Sequence, residues 1–133
     1  MKIAFSKQWN KSVQPRKQRK YRANAPLHIK QKFVASHLSK DLQKRYSKRS
    51  IIVKKGDTVK IMRGQFKSKT GKVDVVNIKK TKVLINGIEL VKKDGTKKQY
   101  AVHPSNIQIT ELNTDDKKRQ QSLKRGKENV KTS

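Results

Sequence analysis

Arginine and lysine carry nearly all the chemistry this chain can offer. Arg16, Lys17, Arg19, Lys20 and Arg22 fall within seven residues, and no acid stands between Met1 and Arg22. A guanidinium pairs bidentately with phosphate, and an ammonium meets it as a point charge. The chemistry predicted is therefore the holding of a polyanion. Other chemistries find no support. There is no cysteine, which removes disulfides, thiolate zinc sites and a cysteine nucleophile. The few acids are dispersed, the serines stand among lysines without a triad pattern, and no nucleotide-binding glycine loop is present. An enzyme is not expected. His28, His37 and His103 are scattered without ligand spacing, so neither a metal nor any other cofactor is expected.

The whole chain sets the same requirement. Its 133 residues hold 36 Lys and Arg against 9 Asp and Glu, a net charge of +27. Self-repulsion at that charge opposes compaction, so a dense polyanion is the natural partner. No apolar run approaches the ~18 residues of a membrane span. No basic helix with a Trp/Phe/Leu face stands out either, so no membrane partner is expected. Nucleic acid leads. The absence of cysteine fits a reducing cytoplasm. The basic, acid-free stretch to Arg22 weakly resembles an organelle transit peptide, but Pro15 interrupts it and no amphipathic period supports that reading.

The elements that must position this charge divide the chain in four. Residues 51–112 hold 20 Leu, Ile, Val or Phe in 62 positions, while the other 71 hold 11. That second proportion is too low for a highly charged segment to build a core. The middle is expected to fold alone and both flanks to need a partner to order fully. Of the 20, 16 are Val or Ile, the types that suit a pleated sheet. Thr58–Ile61 alternates, Lys72–Val75 alternates, and Lys82–Ile85 is a short apolar run. Ile88–Lys92 and Thr96–Val102 flank Asp94-Gly95, a hairpin signal whose two turn residues are expected at positive φ. Ile107–Ile109 closes the set, and Asn86-Gly87 reads as a bend within one strand. The fold expected is mainly β: a small SH3-like five-stranded barrel. It follows a basic extension with two short helices and precedes a polar tail. One helix begins near Pro26, and the second is capped by Ser39 with Leu38, Leu42 and Tyr46 on one face. The boundaries are 1–23 for an extended basic arm, 24–50 for the helical extension, 51–112 for the barrel and 113–133 for a charged tail. That tail forms a loose helix after Asp115-Asp116 or stays disordered.

The most specific stretch runs from Gly56 to Val73. It places glycine at 56, 64 and 71, apolar residues at 59, 61 and 73, and bases at Arg63, Lys67, Lys69 and Lys72. Val59 and Ile61 are expected in the core, and Gly64 and Gly71 to turn the chain out into a loop and back. The loop carries charge towards a phosphate backbone. This stretch resembles a KOW motif, found in ribosomal proteins and in transcription elongation factors of the Spt-five/NusG kind. The motif usually has glycine where this chain has Ser68. If positive φ is needed there, Ser68 costs about 1 kcal/mol.

The flanks narrow the resemblance. Gln14–Lys20, Asn24–His28, His37–Leu42, and Arg49-Ser50 leading into Gly56-Asp57 stand in order. With Asp94–Thr96 and His103–Asn106 in the second half, residues 12 to 112 strongly resemble one family: the archaeal and eukaryotic form of a large-subunit ribosomal protein, twenty-four in the bacterial count and twenty-six in the eukaryotic. The resemblance implies an SH3-like barrel bound near the 5′ end of large-subunit ribosomal RNA. It also implies an early role in subunit assembly and a position near the peptide exit tunnel in the cytoplasmic ribosome, beside neighbouring ribosomal proteins and without homo-oligomerisation. Composition and spacing imply none of these.

The RNA-contacting residues expected are the arm cluster Arg16, Lys17, Arg19, Lys20 and Arg22, with Trp9 and Tyr21 able to stack on unpaired bases. His28, Lys30, Lys32, Lys44, Arg45, Lys48 and Arg49 follow on or after the two helices. The KOW loop adds Arg63, Lys67, Lys69 and Lys72. His103, Ser105 and Asn106 form a turn that bonds locally or to RNA. Lys79, Lys80 and Lys82 form a second patch at a hairpin. The plain alternatives are a solvated tail, a nuclear localisation signal and wet helix faces. One acid, Asp41, against the bases of the helical extension leaves that charge uncompensated. Two other whole-protein readings compete. An elongation factor with a KOW domain needs a second domain, and a chromatin-like DNA-compacting protein explains the charge but not the ordered motifs.

Overall fold

The computed structural model describes the backbone of residues 5–131 and the side chains of residues 5–125. Residues 1–4 of the arm, residues 132–133 of the tail and the Val130 side chain lie outside the described residues. In chain order the elements are α1 (Pro15–Asn24), α2 (Leu27–Phe33), β1 (Ala35–Leu38), α3 (Lys40–Tyr46), β2 (Ser50–Ile52), β3 (Thr58–Ile61), β4 (Thr70–Asn77), β5 (Lys82–Val91), β6 (Lys97–Val102), β7 (Ile107–Glu111) and α4 (Lys117–Lys131), with a 3₁₀ turn at Pro104–Asn106.

The β-branched middle forms strands as its composition demands, and the molecule is mainly β around its core. The sheet has seven strands in the order β2-β1-β7-β3-β4-β5-β6. The expected five are all present as β3 to β7, but they do not close: β2 and β6 end the sheet unpaired with each other. The five-stranded barrel is therefore corrected to an open, seven-stranded sheet. Of the two added strands, β1 comes from the stretch assigned to helices, and β2 straddles the boundary drawn between that stretch and the barrel. Val34, Ser36 and Leu38 are buried while His37 is exposed, the period of a strand. The four-residue spacing of Leu38, Leu42 and Tyr46 masks it. Ser36 at a core position masks it further; its hydroxyl donates to the Pro104 carbonyl at 2.7 Å, which satisfies the buried group. Apolar residues from Leu38 on β1 to Val102 on β6 pack in one cluster, so the sheet wraps around a single core.

The turns follow the sequence with two differences. Asn86-Gly87 lies inside β5, and the β5–β6 register jumps between Leu84 and Glu89, so the strand bends there as expected. At the β5–β6 hairpin only Gly95 has positive φ, +84°, not both turn residues. The Gly95 N–H donates to the Lys92 carbonyl at 3.0 Å, and the Asp94 carboxylate accepts the Thr96 N–H at 3.0 Å. A type I turn followed by a left-handed glycine suits this longer loop. Gly71 serves a different purpose from the chain reversal expected of it. A Cβ there would sit 2.6 Å from both the Asn86 carbonyl oxygen and Ile85 Cγ2, so glycine lets β4 approach β5. Gly71→Ala should therefore destabilise the protein by about 1–3 kcal/mol, as overpacking does, measured by urea denaturation.

Ser68 does adopt the left-handed region, at φ 72°. Its N–H donates to the Ile61 carbonyl at 2.8 Å, which fixes the loop in that conformation. Ser68→Gly should stabilise the protein by roughly 0.5 kcal/mol in the same assay, because strain relief of about 1–2 kcal/mol outweighs the added unfolded-state entropy of about 0.4–1 kcal/mol.

The flanks are more structured than expected. Pro15 stands at the first turn of α1, in place of an extended arm. Ser39 caps α3 by accepting the Leu42 N–H, as predicted. The tail becomes α4, starting after Asp116, whose carboxylate accepts the Lys118 N–H at 2.8 Å. The Lys54 ammonium and this N–H hold the Asp116 carboxyl below its ordinary range. Arg119 and Leu123 are buried, so this helix is part of the packed molecule and not a loose tail.

Candidate nucleic-acid interface

The positive groups fall into three regions. The first is α1. Five of its ten residues are Arg or Lys, none is acidic and none is buried. Arg16, Lys17, Arg19, Lys20 and Arg22 are all exposed. Gln14 gives no side-chain cap, and like charges at i,i+3 and i,i+4 repel, so α1 gains little from itself. It is anchored instead by rings. Tyr21 packs on Phe5 at 5.0 Å and on Phe33 at 6.2 Å, and Arg22 lies over the Phe33 ring at 5.7 Å.

The second region joins the loop after β3 to the 3₁₀ turn. Arg63, His103 and Asn106 line one small cleft of about 80 Å³ with Lys82, Phe66 and Tyr100. The Met62 N–H donates to the Asn106 carbonyl at 2.8 Å, which ties the loop base to the turn. His103 Nδ1 accepts the Ser105 N–H at 3.2 Å and lies 2.8 Å from the Ser105 hydroxyl, the local bonding expected of it. Lys67 and Lys69 sit on the exposed loop, with the Lys69 ammonium 5.3 Å from the Phe66 ring centre. Lys72 is apart, exposed on β4 opposite Thr58. Lys79 and Lys80 occupy the β4–β5 turn, where the Lys80 N–H reaches the Asn77 side chain at 3.0 Å.

The third region lies between β2 and α4. Lys32, Lys48, Lys54 and Lys118 border a groove of about 480 Å³ that also holds Asp116 and Arg119. Part of the expected charge is already engaged here. The Lys48 ammonium donates to the Ser122 carbonyl and hydroxyl, and Lys54 pairs with Asp116. Lys30 likewise donates to the Ala23 carbonyl at 3.0 Å, fastening α2 to the end of α1. Lys44 and Arg45 close α3, with Arg45 5.5 Å from the Tyr46 ring, and His28 and Arg49 are exposed. These residues do not converge on one point.

Lys82 belongs with Arg63 and His103, although its sequence neighbours placed it with the turn. Phe66 and Tyr100 were not singled out by sequence at all. Their rings meet at 5.2 Å and form one wall of the cleft. The signal available was alternation in β6, which puts Tyr100 on the same face as buried Val102.

Burial, then the charges of Lys82 and Arg22, push the His103 pKa below its ordinary 6.5. The unfolded chain therefore binds this proton more readily. His103's contribution to stability is complete above pH 6.5 and is lost as pH falls through the lower folded value. A phosphate in the cleft would offset both cations. Nuclear magnetic resonance titration should place the His103 midpoint below 6.5 in the free protein and move it upward with RNA bound, so that binding tightens as pH falls.

Among the described residues, no group of three or more His, Cys, Asp or Glu is arranged to hold a metal ion, and no helix is long and apolar enough to cross a membrane. Fold and surface define a class: a small sheet protein displaying uncompensated positive charge on helix faces and loop tips, the surface chemistry of nucleic-acid-binding proteins. The chain belongs to the family of ribosomal proteins L26 of eukaryotes and L24 of archaea, whose family model matches residues 12–126. It is similar to the large ribosomal subunit protein uL24 of Methanosarcina barkeri, 46% identical over 114 residues, covering 86% of this chain and 98% of the relative. It is also similar to uL24 of Methanothrix thermoacetophila, 47% identical over 114 residues with the same coverage. It is a ribosomal protein and not an enzyme. The elongation-factor reading finds no support in these relatives.

Proposed function

We propose that this protein binds large-subunit ribosomal RNA as a structural constituent of the cytoplasmic large subunit. In this reading it engages the 5′ domain early in assembly and comes to rest near the peptide exit tunnel, beside neighbouring ribosomal proteins. The observation that carries the reading is α1: five exposed cations in ten residues, no acid, no side-chain cap and no buried residue. Such a helix is weakly stable by itself, and a phosphate backbone along it removes the repulsion. Arg63 and Lys82 make a second, phosphate-sized cleft cationic, with His103 beside them and near enough to α1 to feel the charge of Arg22. In the loop after β3 and at its exit into β4, Arg63, Lys67, Lys69 and Lys72 meet phosphates and not bases, since loop lysines act as point charges.

Sedimentation of the native protein tests this. Recovery with the large ribosomal subunit after a moderate salt wash is the expected result. Recovery with polymerase or with bulk DNA instead would overturn it.

A further inference from the structure

The family match begins at residue 12, yet the segment before it is folded onto α1. The Trp9 N–H closes a turn on the Ser6 carbonyl at 3.4 Å. Gln18 of α1 reaches back to the Asn10 and Ser12 carbonyls at 3.3 and 2.7 Å, which fastens that turn beside the helix. Between them runs a groove of about 420 Å³ lined by Phe5, Trp9, Lys17, Lys20, Tyr21 and Asn24. The four helical residues stand at i, i+3, i+4 and i+7, one continuous face of α1. The volume lies within the ~300–1,000 Å³ typical of clefts that take small organic groups.

We infer that this groove captures one unpaired nucleobase of the bound RNA, stacked on Trp9, with the flanking phosphates on Lys17 and Lys20. The inference rests on the RNA-binding reading above and names what the α1 face recognises. Three observations converge on it. Trp9 is 66% exposed, an unusual place for the chain's single tryptophan unless something covers it. The Lys17 ammonium lies 5.5 Å from the Trp9 ring centre, so a base stacking there brings its phosphate to a waiting cation. The lining holds aromatic rings, two cations and an Asn carboxamide, and no acid. An acidic or purely apolar partner would use the cations or the rings alone, whereas a nucleotide uses both. A paired base cannot enter, because its face is already stacked within the duplex. The groove therefore selects single-stranded segments, loops or bulges.

Because Trp9 is the sole tryptophan, its fluorescence reports the groove directly. The full chain is titrated with a single-stranded RNA oligonucleotide, with duplex RNA of equal phosphate count, and with an abasic strand of the same length. Binding of each is followed separately by the anisotropy of a labelled strand. The expected result is saturable quenching by the single strand alone. Trp9→Ala should weaken single-strand binding about tenfold, within the range of base–aromatic stacking, and leave duplex binding unchanged. Trp9→Phe should restore most of the loss. If all three nucleic acids bind but quench equally, or if Trp9→Ala changes nothing, base capture is wrong while RNA binding stands. Quenching by a hydrophobic peptide and not by RNA would assign the groove to a protein neighbour and overturn the inference. Failure of every RNA to bind would overturn the parent reading with it.

Discussion

Arg119→Ala should destabilise the folded protein by about 3–5 kcal/mol, the cost of stripping one partner from a buried ion pair. The reason lies in what is left behind. Asp57 is fully buried, and both its oxygens meet Arg119, Nη1 to Oδ1 at 2.6 Å and Nη2 to Oδ2 at 2.7 Å. The same carboxylate accepts the Lys54 N–H at 2.9 Å and the Asn113 N–H at 2.9 Å. Arg119 in turn donates to the Asn113 and Ile52 carbonyls at 2.8 and 3.3 Å. One pair thus joins the entry to β3, the end of β2, the segment after β7 and α4. Two backbone donors do not replace a bidentate guanidinium. The substitution also frees α4 from the sheet, taking the Lys48–Ser122 hydrogen bonds with it. Chemical denaturation of this variant, of Asp57→Ala and of the double Asp57→Ala/Arg119→Ala checks this. The double variant should lose less than the sum of the singles, because no uncompensated charge stays buried. A loss below about 1 kcal/mol for Arg119→Ala would mean that the pair is solvated and of the ordinary surface kind.

Neutralising Arg16, Lys17, Arg19, Lys20 and Arg22 to glutamine together should weaken binding to large-subunit ribosomal RNA roughly hundredfold or more at physiological salt. It should also flatten the salt slope by about 4, at about 0.7–0.9 for each phosphate no longer neutralised. Glutamine is a good helix former, and its introduction removes like-charge repulsion, so α1 should be no less helical in the variant. Circular dichroism would establish that the weakening comes from charge and not from unfolding. Filter binding across a salt series gives both numbers. An unchanged slope would mean that α1 does not touch RNA and that the load falls on the other two regions.

The parts of the fold written in local pattern were readable from sequence. Val59, Ile61 and Val73 lie in the core as their alternation required, and Ser39 caps its helix. Ser68 sits at positive φ, the condition under which it costs more than the glycine usual in the motif. What sequence did not reveal depends on pairing across long separations. β1 became visible only when Ser36 met Pro104 and His37 met Gln108, contacts set by the closing of the whole chain. The tail looked too polar to pack because its key residue is an arginine. Arg119 enters the interior only because Asp57, 62 positions earlier, is buried to receive it. The cations of the candidate interface were readable individually from sequence. Their grouping was not, because Arg63, Lys82 and His103 converge from three separate elements. Lys48 and Lys30 show the reverse: bases that looked free in sequence are held by carbonyls of neighbouring elements.

So large an excess of positive charge requires a dense polyanion to meet it, and the one we propose is an RNA backbone. The direct test is the affinity of the full chain for a large-subunit ribosomal RNA fragment, measured as a function of salt. A logarithmic slope of about −5 or steeper is predicted, since that reflects release of counterions from several neutralised phosphates. A slope near zero would contradict this, leaving the charge without the partner that its distribution requires.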